Sequence, residues 1–196
     1  ALNDRIRGGE KSGCIHNFQI AAGEAQGAFI GFVFQDSDLA KWLEAVSYSL
    51  QQYPDPELEK TADEVIDLIG RAQQQDGYVD TYFIVKEPEN RFRNFRDCHE
   101  LYCCGHLTEA AVAYYRATGK PRLLEIAKRF IDCISSRVGT EEGKLPAYPG
   151  HEELELALIK LFEVTGDTKY QQLASYFIEE RGQAPHFFEK ERALRG

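Results

Sequence analysis

A duplicated helix-turn-helix corner constrains this chain more than any other feature. Ala117-Thr118-Gly119 is followed by Leu123, Ala127, Phe130, Ile131 and Asp132. Val164-Thr165-Gly166 is followed at the same offsets by Tyr170, Ala174, Phe177, Ile178 and Glu179, so the corners start 47 residues apart, at 117 and 164. In each copy a glycine stops one helix, and apolar residues at helical spacing mark the buried face of the next. A helix pair cannot bury both its faces alone, so repeated pairs stack on neighbours in an open solenoid or a closed ring. The expected fold is all-α, built from stacked helical hairpins. Three hairpins make half of a six-hairpin toroid.

The rest of the chain supplies the remaining helices. Residues 1–35 lack a helical period and are punctuated by Gly23, Gly27 and Gly31. Within them, residues 28–34 read as an extended, buried lead-in strand. Asp36-Ser37-Asp38 supplies N-cap residues for a helix carrying Leu39, Trp42, Leu43, Val46 and Leu50, which Pro54 and Pro56 end. A second helix, with Leu58, Ala62, Val65, Ile66 and Ile69 on one face, runs to about Gln75. Residues 76–83 read as a turn and an alternating β-like stretch, and residues 86–94 as a loop. Four further helices are expected: Asp97 to Thr118, one with Pro121 in its first turn, His151 to Thr165, and Asp167 to Arg181. The organisation is then an extended segment 1–35, helical hairpins over 36–182 and a C-terminal extension 183–196.

Composition narrows the function classes. The 196 residues are 43% hydrophobic and 28% charged, which suits one domain with a substantial core. The net charge of −9, from 32 acidic and 23 basic residues, excludes a nucleic-acid partner, because phosphate binding needs clustered Lys and Arg. No apolar run approaches the roughly 20 residues of a membrane span. The first residues, Ala1 to Arg5, carry no apolar signal core, and no methionine occurs, so the chain is processed or cut from something longer. Five cysteines, three of them at Cys98, Cys103 and Cys104, point to free thiols in a reducing compartment, the cytoplasm by default.

Three sets of residues could carry chemistry. On a continuous helix His99, Cys103 and His106 share a face, with ligand types zinc accepts. A structural zinc site normally has four ligands in paired short spacings, so core packing of small cysteines is the stronger reading. His151 opens a helix with Glu152 and Glu153, a favourable acid placement against the macrodipole. His99 sits early in an alternate helix, and in a toroid the two histidines would point into the same central cavity. Asp36, Asp38, Asp76 and Asp80 lie near turns. Paired acids serve glycosidic hydrolysis, although caps and turns favour Asp for local hydrogen bonding alone. Tyr78 and Tyr82 could stack on a sugar or simply pack. There is no nucleophile elbow, phosphate-binding loop or dinucleotide fingerprint.

These motifs together resemble the β-L-arabinofuranosidases of glycoside hydrolase family 127. The resemblance rests on Asn17-Phe18 with Ala21-Ala22-Gly23-Glu24, Phe34-Gln35-Asp36-Ser37-Asp38 leading into Lys41-Trp42-Leu43-Glu44-Ala45, and Gln75-Asp76-Gly77-Tyr78 with Thr81-Tyr82-Phe83. It continues through His99-Glu100-Leu101-Tyr102 with Gly105-His106-Leu107, and Tyr148-Pro149-Gly150-His151-Glu152-Glu153 with Glu155-Leu156-Ala157-Leu158. The motifs stand in family order from about Leu2 to Gly182. The resemblance implies an (α/α)6 barrel holding a furanose, with β-domains downstream. It also implies hydrolysis of terminal β-L-arabinofuranosides with retention, by a zinc-bound cysteine thiolate and a glutamate acid/base. The family histidines that bond the sugar hydroxyls carry over onto His99 and His151. Asp38, Asp76 and Tyr78 complete the expected sugar-binding set.

The family's nucleophilic cysteine and zinc ligands fall in the later part of the barrel, and Cys98, Cys103, Cys104 and Cys133 do not match them. No catalytic residue is therefore assigned. Zinc is expected in the full-length enzyme but not in this chain. The expected partners are an arabinofuranoside or related sugar and, for an incomplete barrel, a second copy or a complementary C-terminal portion. Two other readings stand beside this one: a non-catalytic helical-repeat module that binds a partner protein, and a hydrolase using Asp36 or Asp76 within this chain alone.

Overall fold

The computed structural model describes residues 12–195. The first eleven positions of the expected lead-in, including Ala1 to Arg5, lie outside the described residues. The described helices are α1 (Cys14–Ala21), α2 (Asp36–Gln52), α3 (Pro56–Ala72), α4 (Thr81–Val85), α5 (Glu100–Thr118), α6 (Arg122–Ser135), α7 (Leu154–Thr165), α8 (Thr168–Arg181) and α9 (Phe187–Arg195). Local chemistry sets many of their ends. Asp55 accepts the N–H groups of Glu57 and Leu58 at 3.1 Å each, with Pro56 behind it in the first turn of α3. Asp167 caps α8 through the Lys169 N–H at 3.1 Å. Gly119 and Gly166 close α5 and α7 in left-handed conformation, as the duplicated corner requires.

Three hairpins follow one another: α2–α3, α5–α6 and α7–α8. Helices α2, α5 and α7 form one row with α5 in the middle, and α3, α6 and α8 pack behind them. The repeat explains the core. Leu123 and Tyr170, Ala127 and Ala174, and Phe130 and Phe177 are buried equivalents in successive hairpins. The next equivalent pair differs, since Ile131 is buried and Ile178 is 60% exposed. Ile178, with Leu156 and Ile159 on α7, forms an uncovered apolar edge at one end of the row, and Trp42 and Tyr48 on α2 expose apolar surface at the other. No helix among the described residues is long and apolar enough to cross a membrane.

The structure departs from the sequence reading in five places. The lead-in holds α1, and residues 28–34 are irregular, not a buried strand. Ile30 and Phe32 are exposed there, because no second strand lies alongside among the described residues. The β-like stretch after Gly77 is the short helix α4, since Asp80 accepts the N–H groups of Tyr82 and Phe83 and starts a turn. Helix α5 begins at Glu100, not near Asp97, because His99 adopts a left-handed conformation with φ 61°. Helix α7 begins at Leu154, leaving His151 in the turn before it. The C-terminal extension carries α9, whose Phe187 packs on Phe95 and Tyr148.

Candidate active site

The starts of the three inner helices meet at one end of the row. Phe34 and Gln35 precede α2, His99 precedes α5, and His151 lies just before α7. The Phe34 ring lies 5.1 Å from the His99 ring, and the His99 and His151 rings are 4.8 Å apart. The two histidine Nε2 atoms are 3.0 Å apart. His99 Nδ1 lies 2.6 Å from the Asp97 carbonyl oxygen, which only accepts, so Nδ1 carries the proton. Nε2 of neutral His99 is then bare, and His151 Nε2–H donates to it. Burial, followed by the His151 neighbour, holds the His99 pKa below its ordinary value and keeps the ring neutral at physiological pH.

Backbone packing fixes this pair. A Cβ on Gly150 would run into the Arg96 carbonyl oxygen and lie 2.8 Å from that of Phe95. Only glycine lets the 148–151 turn rest on the backbone leading to His99. The left-handed φ of His99 is a strained state for a residue with a Cβ, of the kind that persists where surrounding structure enforces it.

Further polar rings extend the wall. Tyr102 sits 5.5 Å from His151 and 4.4 Å from His106, and Lys41 Nζ donates to its hydroxyl at 3.0 Å. His106 Nδ1 lies 3.2 Å from Glu153 Oε1. Burial, then the Lys41 ammonium, lowers the His106 pKa to about 4. Burial, then a hydrogen bond with Glu109, raises that of Glu153 to about 8. Lys160 forms an ion pair with Glu109.

A second group of buried acids braces the wall from within. Asp36 accepts the Thr81 N–H at 2.6 Å and its hydroxyl at 2.5 Å, and burial raises its pKa to about 6. Fully buried Asp80 is pushed well above the carboxylate range, by burial first and then by Asp36 and Glu100. Glu100 accepts the Tyr78 hydroxyl at 2.5 Å and the Phe92 N–H at 2.9 Å, and burial raises its pKa to about 7.

Among the residues named from sequence, the structure brings His99 and His151 together. Asp38 lies on the first turn of α2 at the same end, exposed, accepting from Gln35 Nε2 at 3.0 Å. Asp76 stands apart in its own turn, bonded to the Tyr78 N–H and paired with Arg91 at 2.8 Å. Tyr78 is fully buried, its ring enclosed by Phe92, Phe130 and the Arg91 guanidinium 3.6 Å from its centroid, so no face is open to a sugar. The His99–Cys103–His106 face is also broken. His99 lies outside the helix, and Cys103 is buried near Asp36 and Asp80. Phe34, Tyr102, Lys41 and Glu153 were not singled out as site residues, because only the convergence of helix starts brings them together.

The described residues do not fit a zinc-thiolate centre. Burial pushes Cys103 and Cys104 well above the ordinary thiol pKa and Cys133 up to about 11, and none of the three joins the ligand types that do gather. The metal-ligand types that do gather, His106, Glu109 and Glu153, have donor atoms within 4.8 Å of one another but include no sulfur, and the Lys160 ammonium already neutralises Glu109.

Known proteins resemble this chain along nearly its whole length. The catalytic-domain profile of the GH127 β-L-arabinofuranosidases matches residues 1–194. A non-reducing end β-L-arabinofuranosidase of Bifidobacterium longum subsp. longum is 47% identical over 191 residues, covering 95% of this chain and 29% of that protein. The crystal structure of a GH127 β-L-arabinofuranosidase from Geobacillus stearothermophilus T6 superimposes with a TM-score of 0.96 at 60% identity, over 100% of this chain and 31% of that one. A second GH127 β-arabinofuranosidase structure matches with a TM-score of 0.83 at 38% identity, over 89% of this chain and 29% of its own. The chain therefore spans less than a third of the length of these relatives. With the profile matched over nearly every residue, the chain belongs to glycoside hydrolase family 127.

Proposed function

We propose that this chain is the N-terminal portion of a β-L-arabinofuranosidase and forms the sugar-binding wall of its active site. Three further hairpins, packing on the exposed edge of α7 and α8, complete an (α/α)6 barrel. The observation that carries the reading is the His99–His151 pair, two imidazoles with facing Nε2 atoms 3.0 Å apart. A hydroxyl both donates and accepts, so a sugar hydroxyl can accept from His151 and donate to His99. Asp38, at the same end of α2, can accept from a second hydroxyl. The pair orients the furanose. By the family resemblance, the attacking cysteine and the zinc that would activate it belong to the later part of the barrel, outside this chain, because Cys98, Cys103, Cys104 and Cys133 do not match the family's positions. A cytoplasmic location, inferred from the odd, thiol-rich cysteine content, belongs to the same proposal.

The test pairs binding with turnover. Methyl β-L-arabinofuranoside titrated into the chain is expected to shift the His99 and His151 ring resonances, and His99→Ala with His151→Ala is expected to abolish binding. Turnover of a chromogenic β-L-arabinofuranoside is expected only when the remainder of the protein is present. Turnover by this chain alone would overturn the placement of the nucleophile. Binding that survives the double substitution would overturn the role of the histidines.

A further inference from the structure

Phe32 is the most exposed phenyl side chain at the site, at 68% of its surface, and it is not loosely held. Its ring stacks on Phe34 with centroids 5.4 Å apart and planes 4° from parallel. Phe34 in turn contacts His99 at 5.1 Å. The rings of Phe32, Phe34, His99 and His151 therefore form one continuous wall, apolar at one end and polar at the other.

The segment carrying the phenyls is pinned at both ends. Buried Asn17 clasps Ile30, donating from Nδ2 to its carbonyl at 2.8 Å and accepting its N–H on Oδ1 at 2.9 Å. The side chain of buried Gln35 accepts the Phe32 N–H at 3.2 Å and donates to Asp38 at 3.0 Å. Gly31 between them has φ +103°, and a Cβ there would lie 2.8 Å from the Gln35 side-chain Cδ. The glycine is thus needed for the turn that presents Phe32 outward. A large apolar ring held out in water by a dedicated hydrogen-bond frame is unfavourable unless something binds it.

We propose that Phe32 and Phe34 form a second saccharide subsite, a stacking platform for the leaving-group sugar of the glycoside whose furanose the histidines hold. This rests on the arabinofuranosidase reading above. A sugar residue has apolar C–H faces that pack flat on an aromatic ring and hydroxyl edges that stay wet. The platform is also contiguous with the furanose position, where the next residue of an oligosaccharide would lie. Alternative occupants are the remainder of the protein and a second copy of the chain.

The test uses the full-length protein that contains this chain, comparing kcat/KM on a β-L-arabinofuranosyl disaccharide with that on methyl β-L-arabinofuranoside, whose leaving group is too small to stack. For Phe32→Ala the disaccharide-to-methyl ratio is expected to fall roughly tenfold, from the apolar area lost. Phe32→Tyr, which keeps the ring, is expected to restore it. A ratio unchanged within about twofold overturns the platform. So does a Phe32→Ala variant that loses its melting temperature or fails to fold, because the ring would then be covered by protein. A wild-type enzyme inactive on both glycosides overturns the arabinofuranosidase reading and the platform with it, which separates the two failures.

Discussion

Replacing Glu100 with glutamine tests whether a buried, half-titrated acid braces the site. Glu100 is fully buried, follows His99 directly, and receives the Tyr78 hydroxyl and the Phe92 N–H. Burial raises its pKa from 4.5 to about 7. The folded protein thus holds a proton that the unfolded chain releases near pH 4.5. Stability from this group is full below that pH and is lost as pH rises through about 7. At about 1.4 kcal/mol per pH unit, the loss approaches about 3 kcal/mol by pH 8.5. Glutamine keeps an acceptor oxygen for both donors but does not titrate. Its amide hydrogens enter a dry site, so Glu100→Gln costs about 1–3 kcal/mol at pH 5. The diagnostic quantity is the pH dependence. About 0.8 kcal/mol of that loss has already occurred at pH 5, so thermal melts at pH 5 and pH 8.5 are expected to differ by about 5–10 °C less in the variant than in the wild type, a span set by chain size. Equal pH dependence in the two proteins would refute the claim that Glu100 is protonated in the fold.

Other perturbations reach different parts of the structure. Gly150→Ala drives a Cβ into the Arg96 carbonyl, so denaturant melts should show a loss of about 1–3 kcal/mol, with weaker sugar binding from the displaced His151. Thr81→Val removes one of the two donors to buried Asp36 and should destabilise by about 1–3 kcal/mol, most at alkaline pH where Asp36 must be ionised. Ile178→Lys, on the exposed face of α8, should shift the stability of this chain by no more than about 0.5 kcal/mol. In the full-length protein the same change should cost about 2–5 kcal/mol, if a further hairpin covers that face.

Much of the helical frame was legible because helix starts and stops are local. Asp55, Asp167, Gly119 and Gly166 act within one turn of themselves, and the duplicated corner reports which face each copy buries. The histidine pair was legible for a related reason: two helix starts at equivalent places in a repeat must meet when the repeats stack. What escaped is tertiary. The apolar run at 28–34 looks like a strand to any local rule, and its fate turned on whether a partner strand exists. Helix α1 was missed because its buried Asn17 serves the loop carrying Ile30, a contact thirteen residues away.

The most instructive reversal concerns two aromatic residues. From sequence, Tyr78 is the ring suited to a sugar and the phenyls of the lead-in are core. The structure buries Tyr78 and leaves Phe32 exposed. Tyr78 can be fully buried because its hydroxyl finds Glu100, so the polar handle that suggested a surface role is satisfied inside. Phe32 stays outside because Asn17, Gly31 and Gln35 hold its backbone there, so nothing in its own chemistry predicts its position. Burial here follows the partners each backbone and polar handle finds, not the polarity of the ring alone.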